Sequence, residues 1–307
     1  MTIRQLEIFL TIVETGRFRR AAERLYLAQP SISQQIRGLE EELGSPLFIR
    51  SKSRQIELTE AGTLLKDRAD AILRQCQLAK MEIGDLSSEP SGTIRIGIGG
   101  HQLTSMLPPA LSALRRRFPN ICLDIVNGTT PQLIEMIAAT RLDMCIVNFP
   151  LSTNALDTRV LFTEELVLVV RKTDPEARRK SISPQDIGLL PLVLFDRTTS
   201  TRKRLDDFFQ RYKISPIVVV ELNSVESMKR MVDAGMGATL IPASALLPPS
   251  ERKTLRGLRI EGSPLTRQVG MALPRLSRMP RVIDTAVAMI EESFAKIAAQ
   301  LPRQRLF

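Results

Sequence analysis

The sequence is poor in the residues that build metal sites, disulfide frameworks and membrane spans. It contains one histidine and no tryptophan, and its three cysteines are Cys76, Cys122 and Cys145. These numbers and spacings fit neither a zinc module nor a set of disulfides. No apolar run approaches the roughly 18 residues of a membrane helix, and charges interrupt residues 1–15, which excludes a signal-peptide core. We therefore expect no metal, no membrane partner and a cytoplasmic location.

Positive charge is in excess, but the excess lies outside the N-terminal region. The 307 residues include 43 basic and 33 acidic side chains, a net charge of +10. Residues 1–58 hold 9 basic and 7 acidic side chains, residues 59–90 hold 4 and 6, and the rest hold 30 and 20. A basic chain favours polyanionic partners such as nucleic acids, because binding releases their counterions. Net charge alone does not locate a DNA-binding element.

The hydrophobic pattern predicts three short helices in the N-terminal region. Apolar residues recur at three- and four-residue steps from Ile3 to Val13, and Gly16 ends that helix. A second helix runs from Phe18 to a stop at Gln29-Pro30, and a third follows as far as Gly44. Two short helices joined by a tight turn, the second opening with small polar and amide side chains, are typical of a helix-turn-helix.

The third helix has an apolar and a polar face, and a basic hairpin follows it. The side chains expected to point inward are Ile32, Ile36, Leu39 and Leu43. Those on the polar face are Ser31, Ser33, Gln34 and Arg37. Such side chains can enter the major groove, where glutamine pairs with adenine and arginine with guanine. The hairpin tip predicts a wing that touches phosphates or the minor groove. The alternative is a solvated polar face on a small helical domain.

These features occur together in an ordered pattern. It comprises Leu6, Phe9, 18–25, 29–37, Leu39-Glu40, Leu43-Gly44, Leu47-Phe48, Arg50 and 58–62. The pattern resembles the DNA-binding domain of LysR-type transcriptional regulators. The resemblance implies DNA contacts by Phe18, Arg19, Arg20, Gln29, Pro30, Ser31, Ser33, Gln34, Arg37, Arg50, Lys52 and Arg54.

A long helix is predicted next. Small or apolar residues recur with a period near 3.5, which favours pairing with another helix. They are Leu58, Ala61, Leu65, Ala69, Ile72, Cys76, Ala79, Ile83 and Leu86. We interpret residues 60–90 as a linker and dimerisation helix, since a reader of two-fold operators needs two copies at fixed spacing. The alternative is that this stripe packs on the core of its own chain.

From Thr93 onward, predicted strands alternate with predicted helices. The strands are 93–98, 121–127, 144–148, 165–171, 192–195, 217–222, 238–242 and 268–273, and the helices are 103–118, 131–140, 201–213 and 225–234. The alternation predicts two lobes built on parallel sheets. Cys122 and Cys145 fall in apolar strands and are expected to be buried, with a redox-sensing pair as the alternative.

Three strand ends run into helices with small polar residues alongside, at 97–104, 127–131 and 196–201. Ligands of open α/β sheets sit beyond the carboxyl ends of strands, and helix N-termini offer free amides there. These ends favour a small anion such as a carboxylate; the alternative is that Thr130 and Ser200 only cap helices. Gly97, Gly99 and Gly100 follow a strand as in a dinucleotide-binding loop, but Gln102 stands where that loop needs its third glycine. Nucleotide binding is therefore not expected. His101 lacks a catalytic partner set, so it is expected to be a binding contact or a surface residue.

The C-terminal region also resembles the LysR-type effector domain, more diffusely. The matching residues are 95–97, Leu107-Pro108, Phe118-Pro119, Gly128-Thr129, 142–144, Val232, 235–237 and Ile241-Pro242. The resemblance implies a periplasmic-binding-protein-like fold with two crossover strands, lobe I at about 91–162 and 268–307, and lobe II at about 163–267. The implied effector-binding residues are His101, Gln102, Thr104, Thr129, Thr130, Asn148, Arg197, Thr198, Thr199, Ser200 and Asn223. Members with carboxylate ligands often have a small hydroxyl residue where this chain has His101. The alternatives are therefore an effector that is larger, differently charged or in need of no partner at this position.

We therefore expect an α+β multi-domain protein, with a winged helix-turn-helix at 1–59, a linker helix at 60–90 and a two-lobed α/β effector domain at 91–307. The expected function is sequence-specific transcriptional regulation by a homotetramer that responds to a small anionic metabolite, without a cofactor or enzymatic activity. Its partners would be promoter DNA, the effector and, for an activator, RNA polymerase. The alternatives are an enzyme with a DNA-binding appendage, a solute-binding protein and a nucleoid architectural protein.

Overall fold

The computed structural model describes residues 1–49, 56–84, 92–151, 155–262, 264–275 and 279–301. The helices are α1 Ile3–Thr15, α2 Phe18–Leu25, α3 Gln29–Leu43, α4 Glu60–Gly84, α5 Gln102–Ser105, α6 Leu107–Arg117, α7 Thr130–Ala138, α8 Pro184–Gly188, α9 Ser200–Arg211, α10 Val225–Asp233 and α11 Arg281–Gln300. The strands are β1 Phe48–Ile49, β2 Glu57–Leu58, β3 Gly92–Ile98, β4 Ile121–Asn127, β5 Met144–Phe149, β6 Leu156–Arg171, β7 Ser181–Ile182, β8 Pro191–Phe195, β9 Ile217–Leu222, β10 Ala238–Pro242, β11 Leu255–Ile260 and β12 Thr266–Pro274. Within these ranges, no helix has the length and apolar character needed to cross a bilayer.

The described residues form two units. The first contains everything up to residue 84 together with 139–141, and the second contains the remaining described residues. In the first unit, α1, α2 and α3 bury one apolar core, in which the Phe48 ring lies 5.4 Å from that of Phe9 and 5.5 Å from that of Phe18. Two predictions are corrected here. Leu43 is 42% exposed, and α2 ends at Tyr26, which adopts a positive φ of 55°, before the Gln29-Pro30 stop is reached.

The predicted hairpin is present as the antiparallel pair β1 and β2, in which Phe48 faces Leu58. Its tip, with Arg50, Lys52 and Arg54, lies outside the described residues.

The predicted long helix is present as α4, but its apolar stripe is divided between two uses. Leu65 and Ala69 are buried in the core formed by α1, α2 and α3. Farther along the same stripe, Ala79 and Ile83 are exposed. The expectation of one continuous helix-pairing seam is therefore wrong for the first half of α4, where packing on the chain's own core prevails.

The second unit is organised around a mixed sheet, whose main path runs β4-β3-β5-β12-β6-β10-β8-β9. The outer strands pair in parallel, but β12 is antiparallel to both β5 and β6, and β10 and β11 are antiparallel to β6. The prediction of parallel sheets is therefore confirmed for the outer strands and wrong for the pairs made by β6 and β12. Local hydrophobicity does not report the direction of a neighbouring strand.

Two long crossover strands connect the lobes. On β6, Glu165 is the last residue to pair with β12, and Leu166 begins the pairing with β10. Lobe I thus contains β3, β4 and β5, and lobe II contains β7 to β11. The predicted helix at 103–118 is divided at Met106 into α5 and α6, and α11 closes the described part of the chain without having been predicted.

The cysteines of the second unit do not form a redox pair in this arrangement. Cys122 is exposed, contrary to expectation, while Cys145 is buried, and burial raises the pKa of its thiol to about 12. They stand on β4 and β5, on either side of β3. Two strand spacings are about 10 Å, beyond the roughly 7 Å that a disulfide allows between Cα atoms.

Candidate functional site

A cavity of about 400 Å³ lies between lobe I and lobe II of the second unit. The predicted residues that line it are His101, Gln102, Thr104, Thr129, Thr130, Asn148, Thr198, Thr199, Ser200 and Asn223. Arg197 does not line it: its side chain is 79% exposed, and its Nε lies 3.5 Å from a Glu221 oxygen. Arg197 is thus a corrected prediction, because the turn directs it outward to a carboxylate partner.

The N-termini of α7, α9 and α10 border this cavity. Thr199 Oγ1 accepts from the Arg202 amide at 3.1 Å and donates to the Asp196 carbonyl at 2.9 Å. Ser224 Oγ accepts from the Ser227 amide in the same way at 3.3 Å. The helix cap on α9 is therefore Thr199, one residue before the predicted Ser200. The contribution of α10 was not recognised from the sequence, although Ser224 directly follows the predicted Asn223.

Thr129 adds a further hydroxyl at the start of α7. Its Oγ1 and its amide both lie 3.0 Å from the Gln132 side-chain oxygen. Each of the three helix starts therefore carries a hydroxyl or amide side chain beside its backbone N–H groups. Such a start attracts negative charge through its unpaired amides and its positive dipole end.

Arg267, which sequence reasoning missed, is a cavity-lining residue on the crossover strand β12. It is 4% exposed and stands opposite Glu164 on β6. Its Nε and Nη2 both donate to Glu164 Oε1, at 2.9 and 2.7 Å, and its Nη1 donates to Thr201 Oγ1 at 3.3 Å. An arginine two residues before the apolar run 269–273 was the only local signal.

His101 is buried, and both of its ring nitrogens already have protein partners. Nδ1 lies 3.3 Å from Arg267 Nη2, and Nε2 lies 2.6 Å from Ser244 Oγ. A guanidinium can only donate, so Nδ1 accepts and the ring proton is on Nε2, which donates to Ser244. Burial, and then the charges of Arg267 and Lys229, hold the pKa of His101 well below its ordinary value of 6.5. The expectation of a surface position is wrong, and the ring nitrogens are not available to a ligand in this arrangement.

The charged side chains that line the described cavity are paired. Arg267 is matched by Glu164, whose side chain is fully buried. Glu226, at the start of α10, is 2.9 Å from Lys229 Nζ. With His101 neutral, the lining presents mainly hydroxyl, amide and backbone groups, so the cavity has little net charge.

The polar face of α3 is open to solvent. Ser31, Gln34 and Arg37 are exposed, and Ser33 is half-buried. At the start of α3, Gln29 and Pro30 are exposed, and so are Arg19 and Arg20 on α2.

Two aromatic residues, Phe18 and Tyr26, lie on α2 and in the turn before α3. The Phe18 ring is half-buried and packs against Phe48 beside the core, and its DNA contact stays a prediction. Tyr26, which the sequence did not single out, is 95% exposed at the turn between α2 and α3. The signal for Tyr26 was its position in the turn itself.

Comparisons with known proteins cover both units. Residues 3–63 match the family described as bacterial regulatory helix-turn-helix protein, lysR family, and residues 87–295 match the LysR substrate binding domain. The probable RuBisCO transcriptional regulator of Cyanidioschyzon merolae is 31% identical, over 87% of this chain and 90% of that protein. The nitrogen assimilation regulatory protein nac of Escherichia coli is 32% identical, over 80% of this chain and 79% of that protein.

Solved structures share the fold. Full-length CbnR complexed with its target DNA has a TM-score of 0.74 at 22% identity, covering 95% of this chain and all of that one. Full-length OxyR from Pseudomonas aeruginosa has a TM-score of 0.72 at 24% identity, covering 96% of this chain and 94% of that one.

The low pKa of His101 predicts that acid weakens the fold in a specific pH window. Below its ordinary pKa of 6.5 the unfolded chain takes up a proton on its single histidine, while the folded chain does not. The free energy of unfolding should therefore fall as the pH drops from 6.5 to 5, by up to about 1.4 kcal/mol per pH unit. Urea unfolding of the wild type and of His101→Gln measures this. The variant should lose the part of the slope that His101 contributes, and equal slopes in both proteins would contradict the assignment.

Proposed function

Because the chain belongs to the LysR family of transcriptional regulators, we propose that its α3 reads promoter DNA and that a small carboxylate in the cavity between the lobes controls the outcome. The protein is a DNA-binding regulator with an effector-binding domain. To this family assignment, the proposal adds the residues that contact DNA, the chemical class of the effector and the way in which the chains assemble. If the response is activation, the proposal also includes contact with RNA polymerase. In vitro transcription with purified polymerase tests this contact. A DNA partner also favours a cytoplasmic location.

The exposed polar face of α3 supports the DNA-reading residues. Ile32, Ile36 and Leu39 fix the opposite face in the core, so Gln34 and Arg37 are presented outward. A glutamine amide can pair with both hydrogen-bonding groups of adenine, and a guanidinium with those of guanine. We assign base contacts to Ser31, Ser33, Gln34 and Arg37, and contacts that fix position on the phosphates to Arg19, Arg20, Gln29, Pro30, Arg50, Lys52 and Arg54.

Gln34→Ala should lower sequence discrimination. We expect the ratio of affinities for a selected duplex and a scrambled duplex to fall about 5- to 150-fold, since one good bidentate pair contributes about 1–3 kcal/mol. The measurement is fluorescence anisotropy on duplexes selected from a random pool at fixed salt.

Gln35→Ala is the matched control, because Gln35 is an exposed glutamine of the same helix to which no base contact is assigned. Arg54→Ala should instead weaken binding to both duplexes equally and flatten the salt dependence. An unchanged ratio in Gln34→Ala would refute the groove assignment.

The charge balance of the cavity supports a carboxylate effector. Phosphate groups usually recruit arginine or lysine, but the cationic Arg267 in the lining is already matched by Glu164. Helix starts and hydroxyl groups suffice for a single negative charge. The cavity of about 400 Å³ is also within the usual range for small-molecule sites, about 300–1,000 Å³. This combination of three helix starts with paired charged side chains is the observation that carries the effector assignment.

Small mono- and dicarboxylates should stabilise the protein against heat, and Thr129→Val should reduce the effect. Saturation at about 100 times Kd corresponds to about 2.7 kcal/mol of added stability. Loss of one hydroxyl bond to a charged ligand should weaken binding at least about tenfold. Scanning fluorimetry with matched panels of carboxylates and sugar phosphates measures both.

Thr285→Val is the control for that series, since Thr285 Oγ1 donates to the Arg281 carbonyl on α11, outside the cavity lining. A response to sugar phosphates alone, or an undiminished carboxylate response in Thr129→Val, would overturn the effector class.

The exposed distal half of the α4 stripe supports assembly through this helix. Cys76 is half-buried, and Ala79 and Ile83 are exposed, with Ile83 at 69%. Apolar residues repeating along one exposed helix face favour a helical partner. We propose that two chains pair here to make a dimer, and that two dimers form a tetramer that spans a two-fold operator.

Ala79→Glu combined with Ile83→Glu should break this pairing. Both side chains are exposed, so the change introduces repulsion between chains without disturbing the core. Sedimentation velocity at micromolar concentration should show a smaller species than the wild type. Leu189→Glu, at a site 75% exposed in the second unit, is the control. An unaltered distribution in the double variant would exclude this interface.

A further inference from the structure

One guanidinium nitrogen in the second unit has more acceptors than protons. Arg267 Nη2 carries two protons. It lies 2.7 Å from Glu164 Oε1 and 3.3 Å from His101 Nδ1. With the Gln102 amide oriented so that its nitrogen donates to the Gly99 carbonyl, the Gln102 oxygen is a third acceptor at 3.1 Å. Glu164 makes the shortest contact, so Gln102 and His101 compete for the second proton.

The other side of the His101 ring reaches the opposite lobe. His101 follows β3 in lobe I, whereas Ser244 follows β10 in lobe II. The 2.6 Å contact between Nε2 and Ser244 Oγ therefore bridges the lobes, and neither residue is more than 3% exposed. Gln102, in turn, lines the cavity directly. A continuous chain of polar contacts thus leads from the cavity through Arg267 and His101 to lobe II.

We propose that His101 is a positioning residue that reports occupation of the cavity to lobe II, because its ring and Gln102 compete for one Arg267 proton. A ligand that draws the Gln102 amide toward itself releases that proton to His101 Nδ1. Hydrogen bonds in a chain polarise one another, so a stronger bond at Nδ1 strengthens the Nε2–H bond to Ser244. Occupation then tightens the link between lobes. This inference rests on the proposed function for its ligand, but its hydrogen-bond chain exists without one.

The single histidine makes the test direct. Full-length protein labelled with ¹⁵N-histidine has one imidazole, whose two nitrogen resonances report tautomer and hydrogen bonding. At pH 7 we expect the neutral ring with its proton on Nε2. Gln102→Ala removes the competitor, so the Nδ1 resonance should move toward the value of a protonated nitrogen and Nε2–H exchange with water should slow. Gln102→Asn, a milder shortening of the same amide, should shift Nδ1 in the same direction.

Variants of Ser244 form the second part of the test. Ser244→Ala should speed Nε2–H exchange with water, and Ser244→Thr, which keeps the hydroxyl, should restore the wild-type rate. Thr239→Val is the matched control: Thr239 is a buried hydroxyl that donates to the Val193 carbonyl at 2.7 Å within lobe II. It should leave both ring resonances unchanged.

A ring with its proton on Nδ1, an Nδ1 resonance unmoved by both Gln102 variants, or an exchange rate indifferent to Ser244→Ala would overturn the inference. None of these measurements uses a ligand. Failure of carboxylates to bind would therefore count against the proposed effector alone, and failure of the ring measurements against His101 alone.

Discussion

The buried ion pair between Arg267 and Glu164 is the constraint on which the cleft depends. The two residues face each other across β12 and β6, the strands that connect the lobes, and their side chains are 4% and 0% exposed. Removing two charges from water is costly, and only close geometry with further hydrogen bonds offsets that cost. Thr201 and His101 provide such contacts. The pair therefore fixes the orientation of the groups around it and leaves the cavity with little net charge.

Much of the fold was predictable because it follows from local patterns. The strands at 121–127, 217–222 and 238–242 were predicted with the bounds that the structure shows, since each is a short apolar run between polar turns. The first half of β6 was missed, because Asp157, Thr158 and Arg159 are exposed there and give no hydrophobic run. Strand direction was beyond local reasoning, since it depends on pairing between distant segments.

The cavity was predictable in part for the same reason. Thr129, Thr198 and Thr199 were predicted to line it because hydroxyls after strands and before helices have a local signature. Arg267 was missed because Glu164, the partner that keeps it buried, is 103 residues away. His101 was placed in the cavity, but its contacts with Ser244 and Arg267 were not predicted, because they arise only from the fold.

The packing of α4 on the core of the first unit ties α3 to a long helix. Leu65 and Ala69 belong to the same core as Ile32 and Ile36 of α3, so α3 cannot turn without carrying α4 with it. A helix of 25 residues is about 37 Å long, so tilting it by about 10° moves its far end by about 6 Å. Successive base pairs are about 3.4 Å apart. If two chains pair through α4 as proposed, a modest change in the angle between the two helices would shift the separation of their α3 helices by nearly two base pairs.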